Sequence, residues 1–550
     1  MKRFLSKRFD FWFVAKIIIF LLFGFFLIYP FVNMFARGFQ STDGKFTLHY
    51  FERFVQFKYY YQTLFRSLSV SITTTVFALM VGLPMAYVMS RYNLFWKRVI
   101  NIMIIMSLMS PPFIGAYSWI LLLGRSGVIT RFFTGLGFNM PSIYGYTGII
   151  LVFTLKLFPF IYLYVSGALS SIDSSLEEAA ENLGSSKLSR IIHVTFPIIL
   201  PTILSGAILV FMSSLADFGT PMLIGEGYKV LPVLVYEEYM SEIGGNAGMA
   251  SALSMIVISV STLVLLLQKK FISKRKYIMS ALRPPQIIKL QVLPRILLSL
   301  GSFVVAFVAF LPQIVVVYTS FVKTSGPVFV SGYSLESYRT IFYRLGRNIS
   351  NTFTFSTIAM VFIVIIGIIV AYLMVRRPSK SSTVLDVFVM FPYVVPSAIM
   401  GISLLLAFNR RPLLLAGTSF IMIVAYAIRK MPFTVRSASA ILQQIDPSIE
   451  DASISLGVSP FRTFFTVTAK LMLPGIISGA ILSWISTINE LGSSIMLYTG
   501  RTATISVAIY TEVIRSSFCT SAALASILTV ATILSFVIFA IVSKGKVSVI

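Results

Sequence analysis

The 550-residue sequence holds one cysteine, Cys519, and two histidines, His49 and His193. One thiol excludes an internal disulfide, and one thiol with two imidazoles cannot complete the four-ligand Cys/His cage of a structural zinc site. Acidic residues are scarce as well: 19 Asp and Glu stand against 45 Lys and Arg, for a formal net charge of +26. A phosphate-binding loop of the form GxxxxGK(S/T) is absent; the stretch Gly225 to Lys229 has glycines and a lysine at the wrong spacing. The chain is therefore expected to bind no nucleotide of its own. Two histidines, one cysteine and scattered carboxylates also supply no catalytic constellation, which weighs against a membrane enzyme.

Apolar sequence is what the chain has in abundance. Hydrophobic residues make up 57% and charged residues only 12%, beyond what a soluble core of this size requires. The apolar runs beginning at Phe13, Met360 and Ile527 are helix-length blocks. Helices satisfy their own backbone hydrogen bonds in lipid, so the pattern predicts an all-α polytopic membrane protein and not a barrel. The cations collect in short loops: Lys2, Arg3, Lys7 and Arg8; Arg91, Lys97 and Arg98; Lys269, Lys270, Lys274, Arg275 and Lys276; Arg376, Arg377 and Lys380. That is the positive-inside distribution, and a nucleic-acid partner would instead require a basic face on a soluble domain. No small-residue cleavage site follows the first apolar run, so it reads as a retained helix.

Hydropathy and charge give about twelve spans, six per half. They fall near 13–35, 63–90, 99–123, 143–170, 198–224 and 246–268, then near 293–320, 347–375, 383–408, 414–440, 471–497 and 519–543. Both termini and the basic segment 269–292 are then expected in the cytoplasm, with longer outer loops near 36–62 and 321–346. The two halves are assigned to residues 1–275 and 276–550.

The halves repeat one another. Residues 172–209 align without a gap on residues 445–482, offset by 273, with eighteen of 38 positions identical. Ala86, Tyr87, Met89 and Arg91 likewise match Ala371, Tyr372, Met374 and Arg376. An even number of helices per half makes the repeat parallel, with a pathway expected between like halves. The best-matched region is a polar insert in an apolar chain, the behaviour of a docking element used twice. Asp173 can cap a short helix whose first turn carries Glu177, where the helix dipole favours negative charge. Ala179 and Ala180 keep one face small, Leu183 offers an apolar contact, and Gly184 turns the chain.

The order Glu178, Ala179, Ala180, three residues, Gly184 and, further on, Pro197 resembles the signature cytoplasmic loop of ABC importer permeases. In the second copy Asp451, Ala452 and Ser453 replace that triplet, Gly457 is kept, Lys470 stands where Pro197 does, and Pro474 matches Pro201. The resemblance covers both halves and implies two tandem six-helix type I importer permease repeats, with coupling loops at 172–201 and 445–474. It further implies that Glu177, Glu178, Ala179, Ala180, Gly184, Pro197 and Pro201, with Glu450, Asp451, Ala452, Ser453, Gly457 and Pro474, couple the chain to an ATPase. The expected partners are a dimer of a cytoplasmic ABC ATPase carrying ATP and Mg, and an extracytoplasmic substrate-binding protein. The expected location is the bacterial inner membrane.

Four ionisable residues fall inside the expected spans at the same 273 offset: Lys156 with Arg429, and Asp217 with Glu490. Such groups in lipid face a cavity or a partner, so they either fix helix packing or line the route of the solute. The fused layout and the segments around Asp217 and Glu490 look like ferric iron permeases. Thiamine and phosphonate or sugar-phosphate permeases share that layout. An acidic lining suits a trivalent cation, whereas Lys156 and Arg429 suit an anion. An ion-coupled secondary transporter would use such charges too, but would leave twin docking loops without a purpose.

Overall fold

The structure is a computed structural model that describes residues 11–41, 43–109, 112–241, 245–273, 287–325 and 328–542. The basic cluster Lys2, Arg3, Lys7 and Arg8 and the linker residues Lys274, Arg275, Lys276, Pro284 and Pro285 lie outside them. The first half comprises α1 (Phe11–Gly38), α2 (Lys58–Arg91), α3 (Lys97–Met109), α4 (Pro112–Leu123), α5 (Tyr146–Ser170), α6 (Ser174–Asn182), α7 (Lys187–Ala216), α8 (Gly219–Ile224), α9 (Leu231–Met240) and α10 (Ala247–Ser273). The second half comprises α11 (Val292–Ser320), a hairpin of β1 (Val322–Ser325) and β2 (Val328–Tyr333), α12 (Glu336–Val375), α13 (Lys380–Val394), α14 (Ser397–Phe408), α15 (Ser419–Gln444), α16 (Ser448–Ser455), α17 (Pro460–Leu471), α18 (Leu473–Ile488), α19 (Ser494–Leu497), α20 (Ile505–Ile514) and α21 (Phe518–Val542).

Among the described residues eight helices are long and apolar enough to cross a membrane, and ten if each of two bent pairs is one span. The bend of 110° between α13 and α14 falls where Val395 is extended before Pro396, as the proline ring requires of its predecessor. The bend of 71° between α17 and α18 precedes Pro474. Two expected spans fall short for physical reasons. The segment 99–123 is two shorter helices, α3 and α4, and the 26-residue α15 carries Arg429, Lys430 and Arg436.

The chain forms two compact units that are a different division from the sequence halves. One is built of residues 54–234 and 256–319, the other of 1–53, 235–255 and 320–548. The first helix of each half thus belongs with the bulk of the other half. In the first unit α11 joins the core of Ala116, Trp119, Ile143, Val152 and Ile224 through Val308 and Leu311. Ser118 there donates to the Pro312 carbonyl at 2.9 Å. In the second unit α1 lays Trp12 on Tyr372 in a stack of 4.3 Å, with Phe464 edge-on at 4.8 Å, and Lys16 donates to Ser381 at 2.8 Å.

Within each unit the helix of the second expected span of a half packs on that of the fourth, α2 on α5 and α12 on α15. Glycine makes the approach possible. A Cβ at Gly82 would lie 2.7 Å from the Ile161 side chain, and one at Gly367, 285 residues later, 3.2 Å from Thr434.

Candidate functional site

The two polar inserts fold as short helices, α6 and α16, each started by an aspartate. Asp173 accepts from the Ser175 N–H at 3.0 Å, and its counterpart Asp446 accepts from the Ser448 N–H at 2.9 Å. Led by that backbone bond, the Ser448 contacts hold the Asp446 carboxyl below its ordinary pKa, because they favour the charged form. Each helix ends on a glycine in the left-handed region, Gly184 at φ 84° and Gly457 at φ 87°. A Cβ at either would meet nothing within 4 Å, so the backbone conformation and not crowding requires glycine.

The outward face is apolar at its tip. Leu183 is 87% exposed and Leu456 86%, the same position in each copy. Glu178 and Ala179, like Asp451 and Ala452, are exposed, while Ala180 and Ser453 are half-buried. The arrangement of an exposed leucine, a small face and an acid is thus repeated in both copies. Both loops return through a π turn at equivalent positions, Ile191–Thr195 and Phe464–Thr468. Pro197 and Pro201 are half-buried in α7, whereas Lys470 and Pro474 are exposed.

Glu177 and Glu450 face the other way. Glu177 meets Arg91 at 2.5 Å and accepts from the Thr195 hydroxyl at 2.9 Å. Glu450 meets Arg376 Nε at 2.9 Å and accepts from the Tyr372 hydroxyl at 3.0 Å. Arg376 also donates through Nη2 to the Ile445 carbonyl at 2.6 Å. Each acid therefore ties its loop to the C-terminal end of α2 or α12. The arginines had a visible signal, the matched Ala, Tyr, Met, Arg pattern. Their pairing with Glu177 and Glu450 did not.

The charges expected inside the membrane are paired, each pair within its own unit. Lys156 Nζ lies 3.0 Å from Asp217 Oδ2, and Asp217 Oδ1 accepts from the Thr220 N–H at 2.9 Å where α7 gives way to α8. Glu490 lies 3.4 Å from Arg429 Nε and 2.6 Å from Lys430 Nζ, and also accepts from Ser493. Lys430 is the nearer partner and was not foreseen; its counterpart in the first half is the apolar Leu157. The adjacent basic pair in an apolar helix was its signal. One cluster is thus a neutral pair, the other carries a surplus cation, with Lys430 8% and Glu490 6% exposed.

The family model for the binding-protein-dependent transport system inner membrane component matches residues 78–277 and again 363–547. The chain is similar to a ferric transport system permease protein, FbpB of Actinobacillus pleuropneumoniae, at 29% identity over 89% of this chain and 72% of that one. It is similar to an Fe(3+)-transport system permease protein of Haemophilus influenzae at 25% identity, covering 82% of this chain and 83% of the relative. A protein named for 2-aminoethylphosphonate transport in Salmonella paratyphi A is 28% identical over 42% of this chain and 87% of its own length.

Proposed function

Since the chain belongs to the family of inner membrane components of binding-protein-dependent transport systems, we propose that it supplies both membrane halves of an ATP-driven importer for ferric iron. The observation that carries the reading is the pair of exposed short helices at equivalent places in one chain, each presenting a bare leucine beside an acid and a small face. Such a surface suits a groove on a soluble ATPase, and two copies suit an ATPase dimer that holds ATP and Mg. A substrate-binding protein would deliver the solute to the outer loops. ATP-driven closure of the dimer moves α6 and α16, and the membrane halves rock to expose the pathway to one side and then the other.

Ferric iron is supported by the relatives named for it and by the carboxylates Asp217 and Glu490. These two, with Lys156 and Arg429, are assigned to the pathway, where paired charges can bind a solute weakly and release it. The surplus cation at Lys430 and the relative named for 2-aminoethylphosphonate favour a second reading, an anionic phosphonate solute. The test is uptake of radiolabelled ferric iron by cells lacking the chain, with and without its restoration. Uptake that returns with the wild-type chain, and fails with Glu178→Lys and Asp451→Lys, supports substrate and docking together. Iron uptake indifferent to the chain, with phosphonate uptake dependent on it, selects the second reading.

A further inference from the structure

We propose that Arg91 and Arg376 are positioning residues that join each docking helix to the C-terminal end of the second helix of its half, so that the two move as one body. The inference rests on the docking reading above. Arg91 is 4% exposed and Glu450 8%, so each ion pair has one buried member, and the pair resists separation because that member alone would be a buried, uncompensated charge. The sequence distance crossed is large: 86 residues from Arg91 to Glu177 and 74 from Arg376 to Glu450. Without these contacts a displacement of α6 or α16 would reach α2 or α12 only through the apolar packing of the flanking helices, α5 and α7 in the first half and α15 and α18 in the second. The ion pairs provide the direct connection.

The arrangement occurs in both units although its parts are not at one common offset. The acids are 273 residues apart and the arginines 285. A geometry retained across twelve residues of unequal spacing (285 less 273) is a property of the folded halves and not a by-product of one aligned segment. The two are built to different strengths. Arg376 spans two acceptors with its planar fork, and Tyr372 adds a third bond beneath the stacked Trp12 ring. Glu177 keeps a side-chain exposure of 26%, against 10% for Glu450. The contact in the second half is therefore the stiffer of the two.

The experiment uses the full chain with its ATPase and binding-protein subunits, comparing wild type, Arg91→Leu, Arg376→Leu, Arg376→Lys and the exchange Arg376→Glu with Glu450→Arg. Membrane level, ATPase co-purification, ATP hydrolysis with and without loaded binding protein, and ferric iron uptake are measured together. With ATPase capture retained, Arg376→Leu is expected to lower uptake per ATP about tenfold and Arg91→Leu severalfold. Arg376→Lys should lie between, since lysine keeps the charge but cannot span two acceptors. The exchange should restore most of the loss. Unchanged uptake per ATP in both leucine variants overturns the proposal, as does loss of membrane level and capture that Arg376→Lys and the exchange fail to repair, which marks a purely structural pair. If the wild-type chain imports no iron, stimulation of ATP hydrolysis by the binding protein decides: its loss in Arg376→Leu supports the proposal and its retention overturns it. A Gly184→Trp control in which uptake stays normally coupled to ATP hydrolysis would instead count against the docking reading itself.

Discussion

The two polar inserts share their frame and differ in their stitching. An aspartate bonded to the N–H two residues on, a terminal glycine, an exposed leucine and a π turn recur position for position, although Asp173 is itself the N-cap and in the second copy Pro447 takes that place. Across the turn, however, the first loop is closed by a charged contact between Glu181 and Arg190, and the second by a hydroxyl contact of 3.0 Å between Ser453 and Thr463. At the membrane charges the difference continues, a neutral Lys156–Asp217 pair against the Arg429, Lys430 and Glu490 cluster. A duplicated chain thus keeps what shapes the docking helix and varies what tunes it. The halves are equivalent in form and unequal in charge.

Removing the membrane acids tests that inequality most severely. Asp217→Asn with Glu490→Gln is expected to abolish uptake while ATPase capture persists, checked by transport assay beside co-purification; unchanged uptake would end the pathway assignment. Singly, Glu490→Gln should destabilise the purified chain by about 3–5 kcal/mol and Asp217→Asn by less, because the first strands two cations, the buried Lys430 and the half-buried Arg429, and the second strands one. Thermal unfolding of the two variants in one detergent measures the gap. Next in size, tryptophan at Gly184 or Gly457 forces a side chain into the left-handed region, a strain of about 1–3 kcal/mol, and should uncouple ATP hydrolysis from uptake in either loop.

A smaller contrast concerns the exposed acids. Glu178→Lys and Asp451→Lys each reverse a surface charge on the docking face, worth about 1 kcal/mol or less, so ATPase capture should fall severalfold, more for the first loop if it docks more closely. Binding titration of the soluble ATPase separates them. The smallest effect is one of pH. The Asp446 carboxyl is depressed when folded, so its contribution is complete above the unfolded value of about 4 and disappears as pH falls through the lower folded value. Hydrogen exchange of residues 448–455 should accelerate over that acid range, and Asp446→Asn should remove the dependence.

How much of this was legible follows from where each signal is written. The repeat, the caps and the glycine turns are local patterns, and a local pattern such as Asp173 two residues before Ser175 determines a local hydrogen bond. The inward turn of Glu177 was not legible, since its partner lies 86 residues away on another helix and no periodicity joins them. Lys430 was overlooked because the pairing was inferred from matched positions, and Leu157 occupies its place in the first half. The exchange of first helices was equally silent. Hydropathy reports that α1 and α11 are apolar, but lipid and a helix neighbour are equally acceptable to an apolar face, so composition cannot name the partner.

That exchange also sets an order of assembly. Trp12 is made before most of the chain, yet the rings it rests against belong to Tyr372 and Phe464. At about 5–20 residues per second a ribosome needs tens of seconds to supply them. During that interval α1 has lipid, or the insertion machinery, in place of its native neighbours. A helix made so early is among the last to find its seat.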